Sequence, residues 1–183
     1  GFAIALMIPK CARAATLPKA AWDAAQIGDI PEFNPWVVIN PDDTVVIRIP
    51  FPEIGNGLST TLPQIVTEEL HCDWSNVRAE FASPNRNARE NNVYGDMVIS
   101  GNRGVITTHF ELQQAGASAR ERLIAAAAQR WNVAPSECVA ENSRVVHEGS
   151  RRSATFGALA AAAARIRLDS EPQIKSPDQY TFL

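Results

Sequence analysis

The chain is poor in the residues from which proteins build their own metal centres. It has three cysteines and three histidines in 183 residues. Cys11, Cys72 and Cys138 lie far apart, with no CxxC, CxxCH or mixed Cys/His cluster between them. That spacing offers no ligand set for a structural zinc, an iron–sulfur cluster or a c-type haem held by this chain alone. Charge of one sign is not in excess either. Seventeen Lys+Arg against twenty Asp+Glu give a net charge of −3, which argues against the clustered positive excess that nucleic-acid phosphates require. The apolar run Gly1–Ile8 is far short of the roughly 20 residues that span a bilayer. The GxSxG, HExxH, Walker and GxGxxG signatures are all absent.

What is there is ordinary globular composition, 45% hydrophobic and 20% charged, in a length suited to one domain with an arm. The chain starts with Gly1 inside its apolar run, which Pro9-Lys10 ends, and Ala12-Arg13-Ala14 follows as an A-x-A site. This reads as the rear half of an export signal that stayed on the chain, docked against a partner or a membrane. The other reading is an apolar arm that packs on the body. Residues 16–35 carry Pro18, Pro31 and Pro35 and little period, so 1–35 is taken as a signal-like segment and extended arm.

Residues 36–170 form the body. Trp36–Asn40 and Thr44–Ile49 are β-rich runs around Pro41-Asp42-Asp43, which predicts a hairpin. Leu58, Leu62, Ile65, Val66 and Glu69 fall on helical spacing, with Pro63 placed near the first turn. Val77–Ala82 alternates as a third strand. Residues 83–100 are polar and aperiodic and read as a long functional or interfacial loop. Residues 104–132 give the longest helix. Its stripe of Leu112, Ala115, Gly116, Ala119, Leu123, Ala126, Ala127 and Trp131 is mostly small, so another element must approach closely. Two short strands are expected at Cys138–Ala140 and Arg144–His147, then an Ala-rich helix over 153–166 capped by Ser153. Residues 171–183 are an extended tail. The order β-β-α-β-α-β-β-α predicts an α+β fold, a mixed or antiparallel sheet with helices packed on one face.

Two loops could carry chemistry. Gly55-Asn56-Gly57 opens the first helix, and Ser100-Gly101-Asn102-Arg103-Gly104 opens the long one. Small residues let backbone N–H groups reach a ligand, and a helix N-terminus favours negative charge. With the helices side by side, both loops would point to one rim and seat a phosphate or diphosphate. Taken alone, each is also consistent with a plain turn. None of His71, His109 and His147 is placed as a catalytic base.

Four stretches resemble one family. Glu53-Ile54-Gly55-Asn56-Gly57, then Thr61-Leu62-Pro63 and Glu68-Glu69-Leu70, is similar to its E-M-G-Q-G…T-x-L-P…A-E-E-L segment. Asp73-Trp74-Ser75 with Val77-Arg78-Ala79-Glu80 matches D-W-x-x-V-x-V-E, and Gln113–Arg120 matches the end of L-R-Q-A-G-A-A-A-R. Ala126–Trp131 with Val133, Pro135, Glu137 and Cys138 matches A-A-x-x-W-x-V-x-P-x-E-C. The chain thereby resembles the N-terminal part of the molybdopterin-binding large subunit of the xanthine dehydrogenase/aldehyde oxidase family, in the branch of isoquinoline 1-oxidoreductase beta subunits and membrane-bound aldehyde dehydrogenases.

The resemblance implies a component of a molybdenum hydroxylase that oxidises aldehydes or N-heteroaromatics with water as oxygen source. It implies molybdopterin cytosine dinucleotide shared with the rest of the subunit. It also implies 2Fe–2S clusters on a small subunit, a cytochrome c subunit bearing haem c, and a periplasmic complex, peripherally attached to the membrane. By that resemblance Gly55, Asn56, Gly57, Gly101, Asn102 and Arg103 contact the cofactor. Two departures stand out: Asn56 replaces the family's Gln, and the family's G-G-S-x-S is here 100–104 with its glycine kept at Gly101. The family's catalytic Glu lies near the C-terminus of the large subunit. Glu171 lacks its glycine-rich context, so no residue here is assigned as catalytic or metal-ligating. The alternative is a non-catalytic structural or assembly subunit of such a complex.

Overall fold

The computed structural model describes residues 32–101 and 103–181. The export-signal reading of residues 1–15, and most of the arm, lie outside the described residues. The fold is α+β, as expected, but the strands form two sheets. The first holds β1 (Glu32–Asn34), β2 (Val37–Ile39), β3 (Val45–Ile49) and β4 (Val77–Phe81), in that order. β1–β2 and β2–β3 pair antiparallel, β3–β4 parallel. The parallel pair is possible because the chain crosses over through α1 (Leu58–Leu70) between them. The second sheet holds β5 (Val139–Glu141), β6 (Arg144–His147) and β7 (Arg152–Thr155), all antiparallel.

The predicted hairpin is present. Asn40 N–H donates to the Thr44 carbonyl at 2.9 Å, and Thr44 N–H to Asp42 Oδ1 at 3.0 Å. β3 alternates as a half-buried strand should, with Val45, Ile47 and Ile49 inside. The sheet begins at Glu32, within the stretch read as a connector. Asn34 accounts for this: its Oδ1 accepts the N–H groups of Trp36 and Val37, and its Nδ2 donates to the Ala115 carbonyl at 2.9 Å.

The long helix, α3 (Gly104–Trp131), organises the rest. A Cβ on Gly104 would meet Leu58 Cδ1 at 2.9 Å, and one on Gly116 would lie 2.8 Å from the Val66 carbonyl oxygen and from Glu69 Cβ. Farther along, Arg120 pairs with Glu69 at 3.3 Å. Residue numbers rise together on both helices, so α1 and α3 run parallel, with both N-termini at one pole. The small-residue stripe is what permits that approach.

Three expectations are corrected. Residues 83–100 contain a helix, α2 (Pro84–Arg89), capped by Ser83. It escaped the hydrophobic pattern because the side chains it buries are charged and polar. Arg86 spans Glu32 at 3.0 Å and Glu90 at 2.8 Å, Arg48 joins Glu32, and Asn87 holds the Tyr94 N–H and the Gly95 carbonyl. The last helix, α4 (Phe156–Ala163), is shorter than 153–166 and is capped by Thr155 rather than Ser153. Ser153 is in β7 opposite Val146, its hydroxyl taking a hydrogen bond from Arg144. Pro63 is in the interior of α1, at its sixth residue, rather than near its start.

The tail crosses α1 and α3 without regular structure except a turn at Pro177–Gln179. The Lys175 N–H donates to buried Glu69, and its ammonium pairs with Glu68, which also accepts from Thr181. His71 ends α1 in the left-handed region (φ 58). Burial first, then the charges of Lys175 and Arg120, pushes its pKa down from 6.5 to about 4.

Two predictions follow from this packing. Ala at Gly116 would improve helix propensity by about 1 kcal/mol. The added methyl, however, meets backbone rather than a yielding side chain, and overpacking costs about 1–3 kcal/mol. Gly116→Val combines that clash with a weaker helix former, so it should lower the urea midpoint clearly, and Gly116→Ala less. For His71 the folded pKa is below the unfolded one, so the unfolded chain binds more protons between pH 6.5 and about 4. Its contribution should therefore decline as pH falls through that window. His71→Asn, which tolerates φ > 0, should flatten the dependence in thermal melts taken across it.

Candidate functional site

The loop before α1 runs through Gly55 at φ 91 and Gly57 at φ 74, backbone that glycine adopts without strain. Gly57, the N-cap, has no side chain to cap the helix. Glu53 does so from outside. One carboxylate oxygen accepts the N–H of Gly55 at 2.7 Å and of Gly57 at 3.0 Å. The other accepts the Ser59 N–H at 3.0 Å and its hydroxyl at 2.9 Å. These donors, the Ser59 N–H foremost, hold the Glu53 pKa down at about 2, against an ordinary 4.5. The anion seat read from the glycines is therefore filled by the chain's own carboxylate. In the sequence Glu53 stood out only as the first residue of the stretch similar to E-M-G-Q-G, and nothing there marked it as the acceptor of these amides.

The loop before α3 is built differently. Gly101 has φ 60, and Asn102 lies outside the described residues. Arg103 is the N-cap and makes no side-chain cap to the first amides of α3. Thr107 and Thr108 turn their hydroxyls back onto the Arg103 and Gly104 carbonyls. Like that of α1, this helix start has no acid in its first turn and no side-chain cap from its N-cap residue; the difference is that at α1 Glu53 holds the loop amides from outside.

The fold brings the two loops together. Asn56, Ser100, Arg103 and Gly104 meet around one tight interstice over Phe51 and Leu58, with no room for a water molecule. A larger cleft of about 370 Å³ adjoins it, shares Phe51, Val98, Ser100 and Arg103, and extends past Tyr94, Thr107 and Thr108. Arg103 thus borders both. The fit to an anionic, hydrogen-bonding cofactor is uneven. The α3 start supplies a helix N-terminus, a guanidinium and a hydroxyl, while the α1 start supplies the Asn56 amide. A third cleft of about 320 Å³ lies between α1 and α3 and is closed by Tyr180, with His109 on its wall. His147 is engaged with Ser150. Burial pushes the Cys72 thiol up to about 12, which keeps it an inert core group. Among the described residues no cluster of His, Cys, Asp or Glu is placed to hold a metal ion, and no helix is long and apolar enough to cross a membrane.

Because the folded pKa of Glu53 is depressed, what its carboxylate adds to the loop is fully present above pH 4.5 and is lost only as pH falls toward 2. The Gly55 and Gly57 amide resonances should hold their positions from pH 6 to about 3.5, where an ordinary glutamate is already mostly protonated. Movement with a midpoint near 4.5 would show that the carboxylate is free.

Known proteins share this arrangement of sequence and fold. The molybdopterin cofactor-binding domain model matches residues 1–182. The beta subunit of isoquinoline 1-oxidoreductase from Brevundimonas diminuta is 36% identical over 151 residues, 80% of this chain and 19% of that protein. The membrane-bound aldehyde dehydrogenase (pyrroloquinoline-quinone) of Gluconacetobacter polyoxogenes is 29% identical over 126 residues, 69% of this chain and 15% of that protein. The chain therefore spans a fifth or less of the length of these curated relatives. Among solved structures, quinoline 2-oxidoreductase from Pseudomonas putida 86 superposes with a TM-score of 0.53 at 25% identity, covering 69% of this chain and 15% of that one. With the family model spanning nearly the whole sequence, the motifs in register and the fold alike, the chain belongs to the molybdopterin cofactor-binding domain family.

Proposed function

We propose that this chain is the N-terminal cofactor-contacting portion of a molybdenum hydroxylase, inactive by itself. The assembly would oxidise aldehydes or N-heteroaromatics with water as oxygen source, passing electrons to 2Fe–2S clusters and a cytochrome c. The observation that carries the reading is the meeting of the Asn56 loop with the Arg103 helix start, at the edge of a cleft of about 370 Å³ that Ser100 and Arg103 line, in a chain of this family. The cofactor-contacting body then runs from Glu32, where the first sheet begins, and includes the tail that packs on α1 and α3, with the residues before it joining other parts of the complex. The export-like start supports a periplasmic location, peripherally attached to the membrane through the complex.

When bound, the molybdenum–pterin group supplies the two-electron redox chemistry. The chain's own part is to bind and orient. Arg103 offers a positive fork to a phosphate oxygen, since guanidinium matches phosphate in a bidentate manner. The first amides of α3 add donors along the helix dipole. Asn56 can donate to and accept from a polar ring edge. Phe51 and Leu58 below them keep water from the floor of the cleft. Cytosine dinucleotide is the proposed form, its diphosphate at the α3 start. At the same pole Ile54 and Ile106 are 65% and 80% exposed, and Phe110 and Val98 are open as well. Apolar groups so exposed around a polar cleft suit burial by the remainder of the subunit.

A hydrogen bond to a charged group contributes about 1.5–3 kcal/mol. Arg103→Ala in the complete assembly should therefore weaken cofactor retention about tenfold to a hundredfold. Molybdenum and released nucleotide per protein should fall together, while Arg130→Ala at the far end of α3 leaves both unchanged. An assembly that carries no molybdenum in its wild-type form would instead support a structural or assembly subunit.

A further inference from the structure

We propose that Glu53 is the positioning residue of the cofactor loop: by filling the turn before α1 it holds Asn56 against the Arg103 loop at the edge of the cleft and turns anionic ligands away from the Gly55 and Gly57 amides. This rests on the cofactor-binding reading above and adds to it a division of labour between the two loops.

The geometry is specific. One carboxylate takes the N–H groups of Gly55, Gly57 and Ser59, with the Ser59 hydroxyl as a fourth donor. Asn56 lies between two of the clamped residues, so its peptide is held on both sides. Its side chain is half-buried while Glu53, Gly55 and Gly57 are exposed. The loop thus turns its carboxylate outward and its amide inward, toward Ser100 and Arg103. The clamp also decides where negative charge can bind. A phosphate approaching Gly55 and Gly57 would meet an ionised carboxylate already holding their donors. At Arg103 it would meet a guanidinium and a helix start with no side-chain cap at its N-cap. Two helix starts at one pole would otherwise compete for the same anion.

The test is hydrogen exchange, read by mass spectrometry with fragmentation, on the complete assembly. Glu53→Ala should speed exchange of residues 55–59 about tenfold, with the middle of α3 unchanged as a control for the fold. Glu53→Gln retains one acceptor oxygen but turns a donor toward Ser59. It should protect Gly55 and Gly57 while losing Ser59, a pattern that general destabilisation would not produce. Inorganic pyrophosphate is then added to assembly from cells grown without molybdate. In wild type it should protect residues 103–108 and not 55–59; in Glu53→Ala it should protect 55–59 as well. Unchanged exchange in both variants, or pyrophosphate protection at 55–59 in wild type, overturns the proposal. Molybdenum content separates the two readings. If exchange changes as expected while Glu53→Ala retains full molybdenum, the clamp exists but does not position the loop for the cofactor, and this proposal fails; the molybdenum content of Arg103→Ala reports on the cofactor-binding reading separately.

Discussion

The approach of α1 to α3 at Gly116, close enough that a methyl group there would strike the Val66 carbonyl, governs the placement of everything functional in this chain. Parallel helices in contact along their length bring their first turns together. Here those turns follow glycine-containing loops, so one pole collects two sets of helix dipoles, the Asn56 amide and the Arg103 guanidinium. An alanine-rich α3 is well suited to this contact, since small side chains shorten the distance between axes while alanine keeps its helix propensity. The tail reinforces it: Glu69, fully buried at the contact, is satisfied by Arg120 from α3, by Gln113 and by the Lys175 backbone.

Two helix N-termini at one pole pose an electrostatic question, and the chain answers it asymmetrically. At α1 a carboxylate four residues before the N-cap satisfies the amides. At α3 the N-cap residue is a cation, which a helix start does not favour by itself. An arginine at that position is unfavourable unless an anion is drawn to it, and in the proposed function the α3 end receives the ligand while the α1 end shapes one wall. Elsewhere the charges are inward and structural. Glu32, Arg48, Arg86 and Glu90 form a buried network that ties β1, β3 and α2 together. Removing one member would strand an uncompensated charge.

Much of the fold was legible from periodicity. The hairpin of β2 and β3, helices α1 and α3, and the strands β5 and β6 are where alternation and helical spacing placed them, because each buries a plain apolar face. Elements stabilised by polar burial were not. α2 hides Arg86 and Asn87 rather than leucines, so its residues read as loop. β1 is anchored through the Asn34 side chain, and β7 takes residues that read as the start of α4. The α+β class was readable; the division into two sheets was not, since strand pairing depends on contacts between segments far apart in sequence.

For the site, the two glycine-bearing loops and the expectation that they share a rim were legible from composition and order. The family, too, was carried by motifs that survive in linear sequence. What only the tertiary structure decided was the direction of the carboxylate at Glu53 and the consequence that the α1 amides are occupied. A residue's type and position say that it is an acid near a turn. Whether its oxygens meet three particular N–H groups depends on backbone torsions at Gly55 and Gly57, and those are seen only in the folded loop.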